Sequence, residues 1–328
     1  MDKDASKLFY KKLFHKKLFY NKLFSNKSFS NKSTHNKFVP YIAAGITVLF
    51  WSSAFPAVRY SLEYYSPESL MLFRFLVASA LLLGYCAIKK VPLPQKKDMP
   101  LFALSGFVGV FLYMWAFNTG ANMVLSGISS FIIASAPIFT LILSIKFLRE
   151  KASPLIWLGV IVSFAGIIII GSTQVTEMQI NTGVWLILTA AVATSIFNII
   201  QKHILRKYTA IQATTYAITF GTLFMCIFLP DLMRELPTAP IGANLLVVYL
   251  GTFPAALAYL TWGYALSKVD KTVYVTSFLY LMPFLASIMA FFWLGERMPP
   301  LAFFGGVIVI AGMVMVNLVG KSDNKSKY

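Results

Sequence analysis

Ten apolar runs, each about as long as a membrane-spanning helix, dominate the chain from residue 41 onward. They cover residues 41–60, 68–88, 99–118, 124–147, 154–171, 182–202, 210–230, 243–265, 272–294 and 300–319. A helix needs about 20 predominantly apolar residues to cross the hydrocarbon core of a bilayer. The segments between the runs are short and carry turn or charge signals, which leaves little room for a soluble domain. The sequence therefore predicts an all-α integral membrane protein with ten transmembrane helices.

Basic residues are numerous, but their positions indicate membrane topology. Of the 328 residues, 58% are hydrophobic and 12% are charged, and the net charge is +17. Nearly all of the positive charge lies between the apolar runs or in residues 1–38, which is not the pattern of a nucleic-acid-binding groove. If the N-terminus is cytoplasmic, 25 Lys and Arg residues fall in cytoplasmic segments and three in outer segments. Because Lys and Arg resist translocation, both termini are predicted to be cytoplasmic, including the tail of residues 320–328.

Residues 1–38 contain a tandem repeat with lysine at every fifth position from Lys7 to Lys37. A period of five scatters the lysines around a helix and alternates them across a strand, so neither geometry makes an amphipathic anchor. We expect a disordered expansion that adheres loosely to anionic cytoplasmic lipid. Nucleic-acid binding is not expected, because charge alone provides only nonspecific attraction.

The second half of the chain repeats the first when the residue numbers are shifted by 146. Between residues 137 and 166, nine of thirty positions are identical to their counterparts. The matched pairs include Tyr113 with Tyr259, Pro137 with Pro283, Glu150 with Glu296, Gly159 with Gly305 and Gly166 with Gly312. Because each copy holds five spans, an odd number, the second copy must enter the membrane from the opposite side. Residues 41–171 and 182–319 are thus predicted to be inverted repeats, from which secondary transporters build alternating access.

A proline recurs in the middle of the fourth and ninth runs, as Pro137 and Pro283. Proline removes one helix hydrogen bond and crowds the preceding turn, so the pair predicts symmetric hinges or cavity walls. The alternative is that the helices tolerate both prolines without a functional role.

Arg74 is the one basic residue well inside a run. It is predicted either to bind a substrate carboxylate or phosphate, or to play a structural role. In the structural role it would pair with Glu63 or Glu68, or extend its charge to the outer surface.

The sequence contains no pattern for catalysis, metal binding or ATP hydrolysis. Cys86 and Cys226 lie inside apolar runs and the three histidines are scattered, so we expect no metal site and no cofactor. There is no complete phosphate-binding loop. No carboxylate lies at the centre of a run, which disfavours coupling through a buried acid. Uniport, exchange or gradient-driven export is the simpler interpretation, and an enzyme is not expected.

Tyr, Trp, Asn and Ser residues recur in the middle of several runs. Such side chains cost free energy if they face lipid, so they are predicted to face neighbouring helices or a water-containing cavity. Any single residue fits a hydrogen bond between helices equally well, but as a set they predict an uncharged, aromatic-lined cavity. A channel or lipid scramblase would instead show a continuous polar stripe or a lipid-facing groove, and neither is evident.

The chain from about Tyr41 to Gly320 resembles the EamA-like group of the drug/metabolite transporter superfamily. The resemblance rests on Trp51-Ser52-Ser53-Ala54-Phe55, on Arg74-Phe75, and on the duplicated Pro, Glu and Gly series. It implies a ten-helix carrier of small metabolites in the bacterial inner membrane, often an exporter of amino acids. An importer or exchanger of S-adenosylmethionine is the alternative that the resemblance also allows. Neither the oligomeric state nor a coupling ion follows from it.

By position, the central cavity of that family corresponds to eight residues of this chain. They are Trp51, Tyr113, Trp115, Asn118, Asn198, Tyr259, Trp262 and Tyr280. The second repeat has Ala193-Thr194-Ser195-Ile196-Phe197 where the first has the Trp-Ser-Ser motif, so the two walls of the cavity are expected to differ.

Overall fold

The computed structural model describes residues 38–123, 126–148, 153–172, 182–295 and 300–325, which contain helices and turns but no β-strand. These residues form ten successive helices. A helix that is interrupted only by a turn, a π-helical segment or a 3-10 segment is counted as one. They are α1 (Val39–Ser61), α2 (Pro67–Ile88), α3 (Lys96–Met123), α4 (Ser129–Phe147), α5 (Pro154–Ser172), α6 (Thr182–Ile204), α7 (Ala210–Glu235), α8 (Ile241–Lys268), α9 (Val273–Leu294) and α10 (Pro300–Lys325).

Eight of these helices, all except α5 and α10, are long and apolar enough to cross a membrane. The apolar stretches within α5 and α10, Pro154–Gly166 and Phe303–Gly312, are shorter. An all-helical integral membrane protein is therefore confirmed, with eight candidate spans among the described residues where the sequence predicted ten. The N-terminal repeat up to Lys37, Glu150 and Glu296 lie outside the described residues.

The helices of the two halves begin at nearly constant separations along the chain. The first residue of α6 comes 143 residues after the first residue of α1, and the same separation of 143 relates α7 to α2 and Thr222 to Ser79. The first residue of α10 comes 146 residues after the first residue of α5, which is also the separation of Val309 from Ser163. We call the first separation the early offset and the second, which is the shift found in the sequence, the late offset. Equivalent positions are related by the early offset in the first two helices of each half and by the late offset in the last three.

Each half interrupts its third and fourth helices at matching places. α3 contains a π-helical segment at Phe107–Leu112, and α8 contains one at Gly251–Leu257. α4 breaks at residues 134–135, and α9 tightens to a 3-10 helix at Ser277–Leu281. The α-helix resumes with Pro137 and Pro283 in its first turn, where a missing N–H costs no helical hydrogen bond. Both prolines thus lie directly after an interruption of their helix.

The two halves interlock through their first helices. α1 packs against α8 and α9, and α6 packs against α3 and α4. The first helix of each half therefore lies against the third and fourth helices of the other half. α5 and α10 pack along each other, and close contacts at Gly166 and Gly312 bring their backbones together. Small residues permit this approach between helices that have no water to exclude.

Hydrogen bonds between a tyrosine and an Asx residue join the halves at two places. The Tyr65 hydroxyl donates to Asn244 Oδ1, and the Tyr208 hydroxyl donates to Asp98 Oδ2 at 2.5 Å. Lys207 also donates to Asp98, and this hydrogen bond raises the pKa of Lys207 above its ordinary value. The early offset relates Tyr65 to Tyr208 and the late offset relates Asp98 to Asn244, so the two sites are equivalent. We call them the Tyr65 clasp and the Tyr208 clasp.

The two clasps lie at opposite ends of the helix bundle. Asp98 is in the first turn of α3, whereas Asn118, near the other end of the same helix, donates to the Pro67 carbonyl oxygen beside the Tyr65 clasp. By the rise of an α-helix, the stretch between them is about 30 Å long, which is the thickness of a bilayer core.

We expect Gly312→Ala to lower the melting temperature of the purified protein. A Cβ atom at this position would lie 2.2 Å from Ser163 Oγ and 2.6 Å from the Gly159 carbonyl oxygen. The backbones of α5 and α10 would have to separate, and overpacking of this kind costs about 1–3 kcal/mol. Gly45→Ala is the matched control, because no atom lies within 4 Å of a Cβ built there. Equal melting temperatures for the two variants in detergent would contradict the close packing.

Candidate substrate cavity

A small cavity lies between the two halves of the bundle. Its lining residues are Trp51, Tyr113, Ile133, Thr194, Phe197, Tyr259, Leu279 and Met282. They come from α1, α3 and α4 of the first half and from α6, α8 and α9 of the second. Six of them form three equivalent pairs: the early offset relates Trp51 to Thr194, and the late offset relates Tyr113 to Tyr259 and Ile133 to Leu279. The cavity is thus built from matching positions of the two repeats.

The cavity is closed around a very small space. It offers about 10 Å³ to the centre of a water molecule, which is room for about one water. The polar groups of its lining side chains are two phenol hydroxyls, one indole N–H and one threonine hydroxyl. An amino acid can enter only if the walls move apart.

Trp51 stands at the centre of an aromatic cluster that forms one wall. Its ring centroid lies 5.4 Å from that of Tyr259 and 5.0 Å from that of Trp262. Tyr259 in turn meets the rings of Phe75 and Phe197 edge to face. Indole and phenol faces attract an ammonium or sulfonium group, and more strongly where water is excluded. The wall therefore offers a surface for a cationic or zwitterionic ligand.

Trp262 packs against Trp51 without lining the cavity itself. Its side chain is 1% exposed, and its indole Nε1–H donates to Asn198 Oδ1 at 2.8 Å. Asn198 is itself fully buried on α6. A buried indole N–H needs an acceptor, so this bond between α6 and α8 fixes the ring against which Trp51 packs.

The π-helical segment of α8 positions both Trp51 and Arg74. Pro254 lies inside this segment and has no N–H, so it donates no backbone hydrogen bond to the preceding turn. Arg74 Nε donates to the Leu250 carbonyl oxygen at 3.2 Å, and Trp51 Nε1 donates to the Pro254 carbonyl oxygen at 2.9 Å. Gly251 permits the approach, since a Cβ there would lie 2.6 Å from the Arg74 carbonyl oxygen.

Arg74 has neither of the two structural roles considered from the sequence. Its side chain is 2% exposed, so the charge does not reach the surface of the bundle. Among the described residues, neither Glu63 nor Glu68 forms an ion pair with it. Its Nη1 makes a long contact to Met114 Sδ at 3.8 Å, and its guanidinium carbon lies 5.6 Å from the centroid of the Phe75 ring.

Five of the eight predicted cavity residues belong to the wall or support it: Trp51, Tyr113, Asn198, Tyr259 and Trp262. The other three lie elsewhere in the fold. Asn118 donates to the Pro67 carbonyl oxygen at 3.1 Å and so links α3 to the start of α2. Trp115 is half-buried against the core. Tyr280 is fully buried beside the lining residue Leu279 without lining the cavity itself.

Five lining residues were not among the predicted cavity residues: Ile133, Thr194, Phe197, Leu279 and Met282. Four of them are apolar and look like any other residue of an apolar helix. The repeat could have found one of the five, because the early offset makes Thr194 the counterpart of the predicted residue Trp51. The late offset relates Ile133 and Leu279 only to each other, so no predicted residue pointed to either.

Comparisons with known proteins agree with this architecture. The sequence profile of the EamA-like transporter family matches residues 38–172 and, separately, residues 181–318. A solved crystal structure that is 17% identical in sequence superimposes with a TM-score of 0.71, covering 86% of this chain and 98% of that chain. At this identity the likeness concerns the fold alone.

Curated relatives extend over most of the chain. A probable terminal-alkyne amino-acid exporter from Streptantibioticus cattleyicolor is 36% identical over 272 residues, which is 83% of this chain and 91% of the relative. The uncharacterized transporter YdfC from Bacillus subtilis is 36% identical over 284 residues, which is 87% of this chain and 92% of the relative. An uncharacterized transporter from Archaeoglobus fulgidus is 31% identical over 278 residues, covering 84% of this chain and 98% of the relative.

We expect Asn198→Leu to destabilise the protein by about 1–3 kcal/mol, because it leaves the buried Trp262 N–H without an acceptor. In a Trp262→Phe background the same substitution should cost much less, since no donor remains. A double-mutant cycle on the free energy of unfolding in micelles measures this coupling. Additive effects of the two substitutions would show that the hydrogen bond does not hold the wall.

Proposed function

This chain belongs to the EamA-like transporter family, whose profile matches both of its halves, and on that premise we propose that it is a secondary transporter of an amino acid or a related small compound. Family and relatives are transporters and not enzymes, and the apolar helices make the chain a multi-pass membrane protein. The proposed substrate is an amino acid, and the proposed mechanism is alternating access. We place the protein in a bacterial inner membrane with both termini in the cytoplasm, as the distribution of Lys and Arg favours.

The proposal is carried by one observation, the construction of the cavity from equivalent positions of the two halves. In an inverted repeat of two five-helix units, such positions meet near the middle of the membrane, on the axis that relates the halves. Two family matches, matching helix separations and matching helix interruptions support ten spans in this arrangement. Exchange of conformation between the halves then opens the same cavity to either side.

The amino-acid assignment rests on the cavity wall and on a relative. The aromatic cluster around Trp51 suits the ammonium group and the apolar side chain of an amino acid. The relative from Streptantibioticus cattleyicolor is named as a probable terminal-alkyne amino-acid exporter. S-adenosylmethionine, which also carries cationic groups, is the competing substrate.

The two clasps fit the role of gates in this mechanism. Each joins the two halves at one end of the bundle, both hydrogen bonds are formed in the structure, and the cavity has room for about one water. The positive-inside distribution favours a cytoplasmic position for the Tyr208 clasp and an outer position for the Tyr65 clasp. Opening one clasp while the other stays closed would give access from one side only.

The substrate is tested by counterflow in proteoliposomes loaded with unlabelled compound. We expect labelled amino acids, with propargylglycine as the terminal-alkyne member of the panel, to accumulate in exchange. Thr194→Trp should reduce this exchange at least about 10-fold, because an indole opposite Trp51 fills a cavity with room for one water. Thr189→Trp is the matched control, since it makes the same change at an exposed position of the same helix.

Exchange of S-adenosylmethionine but not of amino acids would replace the proposed substrate. Full activity of Thr194→Trp would show that the transport pathway does not pass through the cavity. Flux that does not saturate and shows no counterflow would indicate a channel.

The gates are tested by a matched pair of variants, Tyr65→Phe and Tyr208→Phe. Tyr65→Phe removes the hydrogen bond to Asn244, which contributes about 1 kcal/mol, so the open population on that side should rise about five-fold. Tyr208→Phe removes the bond to Asp98 and the bond from Gln95 N–H, so the rise on its side should be at least as large. A cysteine introduced at Thr194, with Cys86 and Cys226 replaced by alanine, reports access to a membrane-impermeant maleimide. Tyr208→Phe should speed labelling from the cytoplasmic side and Tyr65→Phe from the outer side. The same change in labelling from both sides would contradict separate gates.

A further inference from the structure

Arg74 carries a full positive charge into the interior of the bundle, and no carboxylate among the described residues neutralises it. The side chain is 2% exposed. The ion pairs found in the described part of the chain join Lys207 to Asp98 and Arg234 to Asp231. A cation inside a membrane span is costly unless a counter-charge accompanies it. We propose that the counter-charge is the carboxylate of the transported amino acid, and that Arg74 is the residue that binds it.

The hydrogen bonds that Arg74 makes within the described residues leave most of its binding capacity unused. A guanidinium group has five N–H donors in a planar fork. Nε donates to the Leu250 carbonyl oxygen at 3.2 Å, and Nη1 makes a long contact to the Met114 thioether at 3.8 Å. The bond through Nε holds the plane of the guanidinium, whereas the outer nitrogens meet no strong acceptor in that part of the chain. Two parallel bonds to the oxygens of a carboxylate would provide one.

Arg74 also lies next to the cavity. Its guanidinium carbon lies 5.6 Å from the centroid of the Phe75 ring, and that ring packs edge to face against Tyr259, which lines the cavity. Its Nη1 reaches Met114, the sequence neighbour of the lining residue Tyr113. Trp51 lines the same cavity and is held by the same π-helical segment. A zwitterion between them would meet a cation at one end and aromatic faces at the other, which matches its carboxylate and its ammonium group.

The fold itself does not require a cation at this position. The early offset makes Ala217 the equivalent residue of the second half, and it is fully buried in the helix that matches α2. A neutral donor would satisfy the Leu250 carbonyl oxygen as well as the guanidinium does. The packing that the two halves share therefore does not need a charge at this position, and we assign the charge of Arg74 to ligand binding.

This inference deepens the proposed function and rests on it. The test compares counterflow of labelled propargylglycine in proteoliposomes when unlabelled propargylglycine or its carboxamide competes. The carboxamide has the same shape and ammonium group but no carboxylate charge. For the wild type we expect the acid to compete at least about 30-fold better than the amide, the loss associated with removing one partner of a buried charge pair.

Arg74→Gln should abolish this preference, so that acid and amide compete equally and weakly. Arg74→Lys keeps the charge without the fork and should restore part of the preference. A merely structural arginine would change the rate of exchange but not the ratio between acid and amide. Arg234→Gln is the control, because it removes an exposed arginine far from the cavity.

The outcomes separate this inference from the proposed function. If the wild type exchanges propargylglycine but accepts the amide equally well, transport stands and the role of Arg74 is overturned. An unchanged preference in Arg74→Gln overturns it as well. If the wild type exchanges no amino acid, the proposed function fails and the inference fails with it. Because the comparison of acid with amide uses wild-type protein, poor folding of a variant does not leave the inference untested.

Discussion

The hydrocarbon core contains no water, so every backbone group within it must find its partner inside the protein. Helices solve this problem wherever they are regular, and the problem returns wherever they are interrupted. Pro254 lies in the π-helical segment of α8 and has no N–H to donate, and Arg74 donates from a neighbouring helix to the carbonyl oxygen of Leu250, which precedes that segment. Trp51 donates to the carbonyl oxygen of Pro254 itself. The polar and aromatic groups of the cavity are thus assembled around one irregular segment of backbone.

The two halves share their helix arrangement, and the positions at which their residues differ give the cavity its asymmetric binding groups. The paired positions Tyr113 and Tyr259 have kept the same residue, so both halves offer a phenol to the cavity. Trp51 and Thr194 have diverged, so one of the two equivalent positions presents a broad aromatic ring and the other a small polar side chain. Arg74 has no charged counterpart, since Ala217 occupies the equivalent position. A site of this kind can bind an asymmetric zwitterion although its scaffold is nearly symmetric.

The helices and the repeat could be predicted from the sequence because both are encoded in local patterns. Apolar runs separated by charged turns specify helices, and duplicated Pro and Gly residues make the internal match visible. The aromatic residues selected in mid-helix include Trp51, Tyr113 and Tyr259, which line the small cavity of the structure. The same reasoning selected Asn118, whose side chain bonds to the Pro67 carbonyl oxygen instead. A polar residue inside a span signals burial but not the neighbour that it meets.

The environment of Arg74 could not be predicted for a related reason. Glu63 and Glu68 are near it in sequence, and only the three-dimensional fold shows that the guanidinium bonds to α8 and, among the described residues, forms an ion pair with neither. The difference between the early and late offsets also obscured the equivalence of Trp51 with Thr194. A small change in the length of a connecting segment is invisible to an alignment without gaps.

The two clasps are equivalent in position but unequal in strength. The Tyr208 clasp contains an ion pair between Lys207 and Asp98, whereas the Tyr65 clasp joins a phenol to an amide. Dissolved salt weakens an exposed ion pair and leaves a bond between neutral groups nearly unchanged. High ionic strength therefore loosens the connection between the halves at one end of the bundle and leaves the connection at the other end nearly unchanged. A nearly symmetric bundle thus has two ends that respond differently to the salt around them.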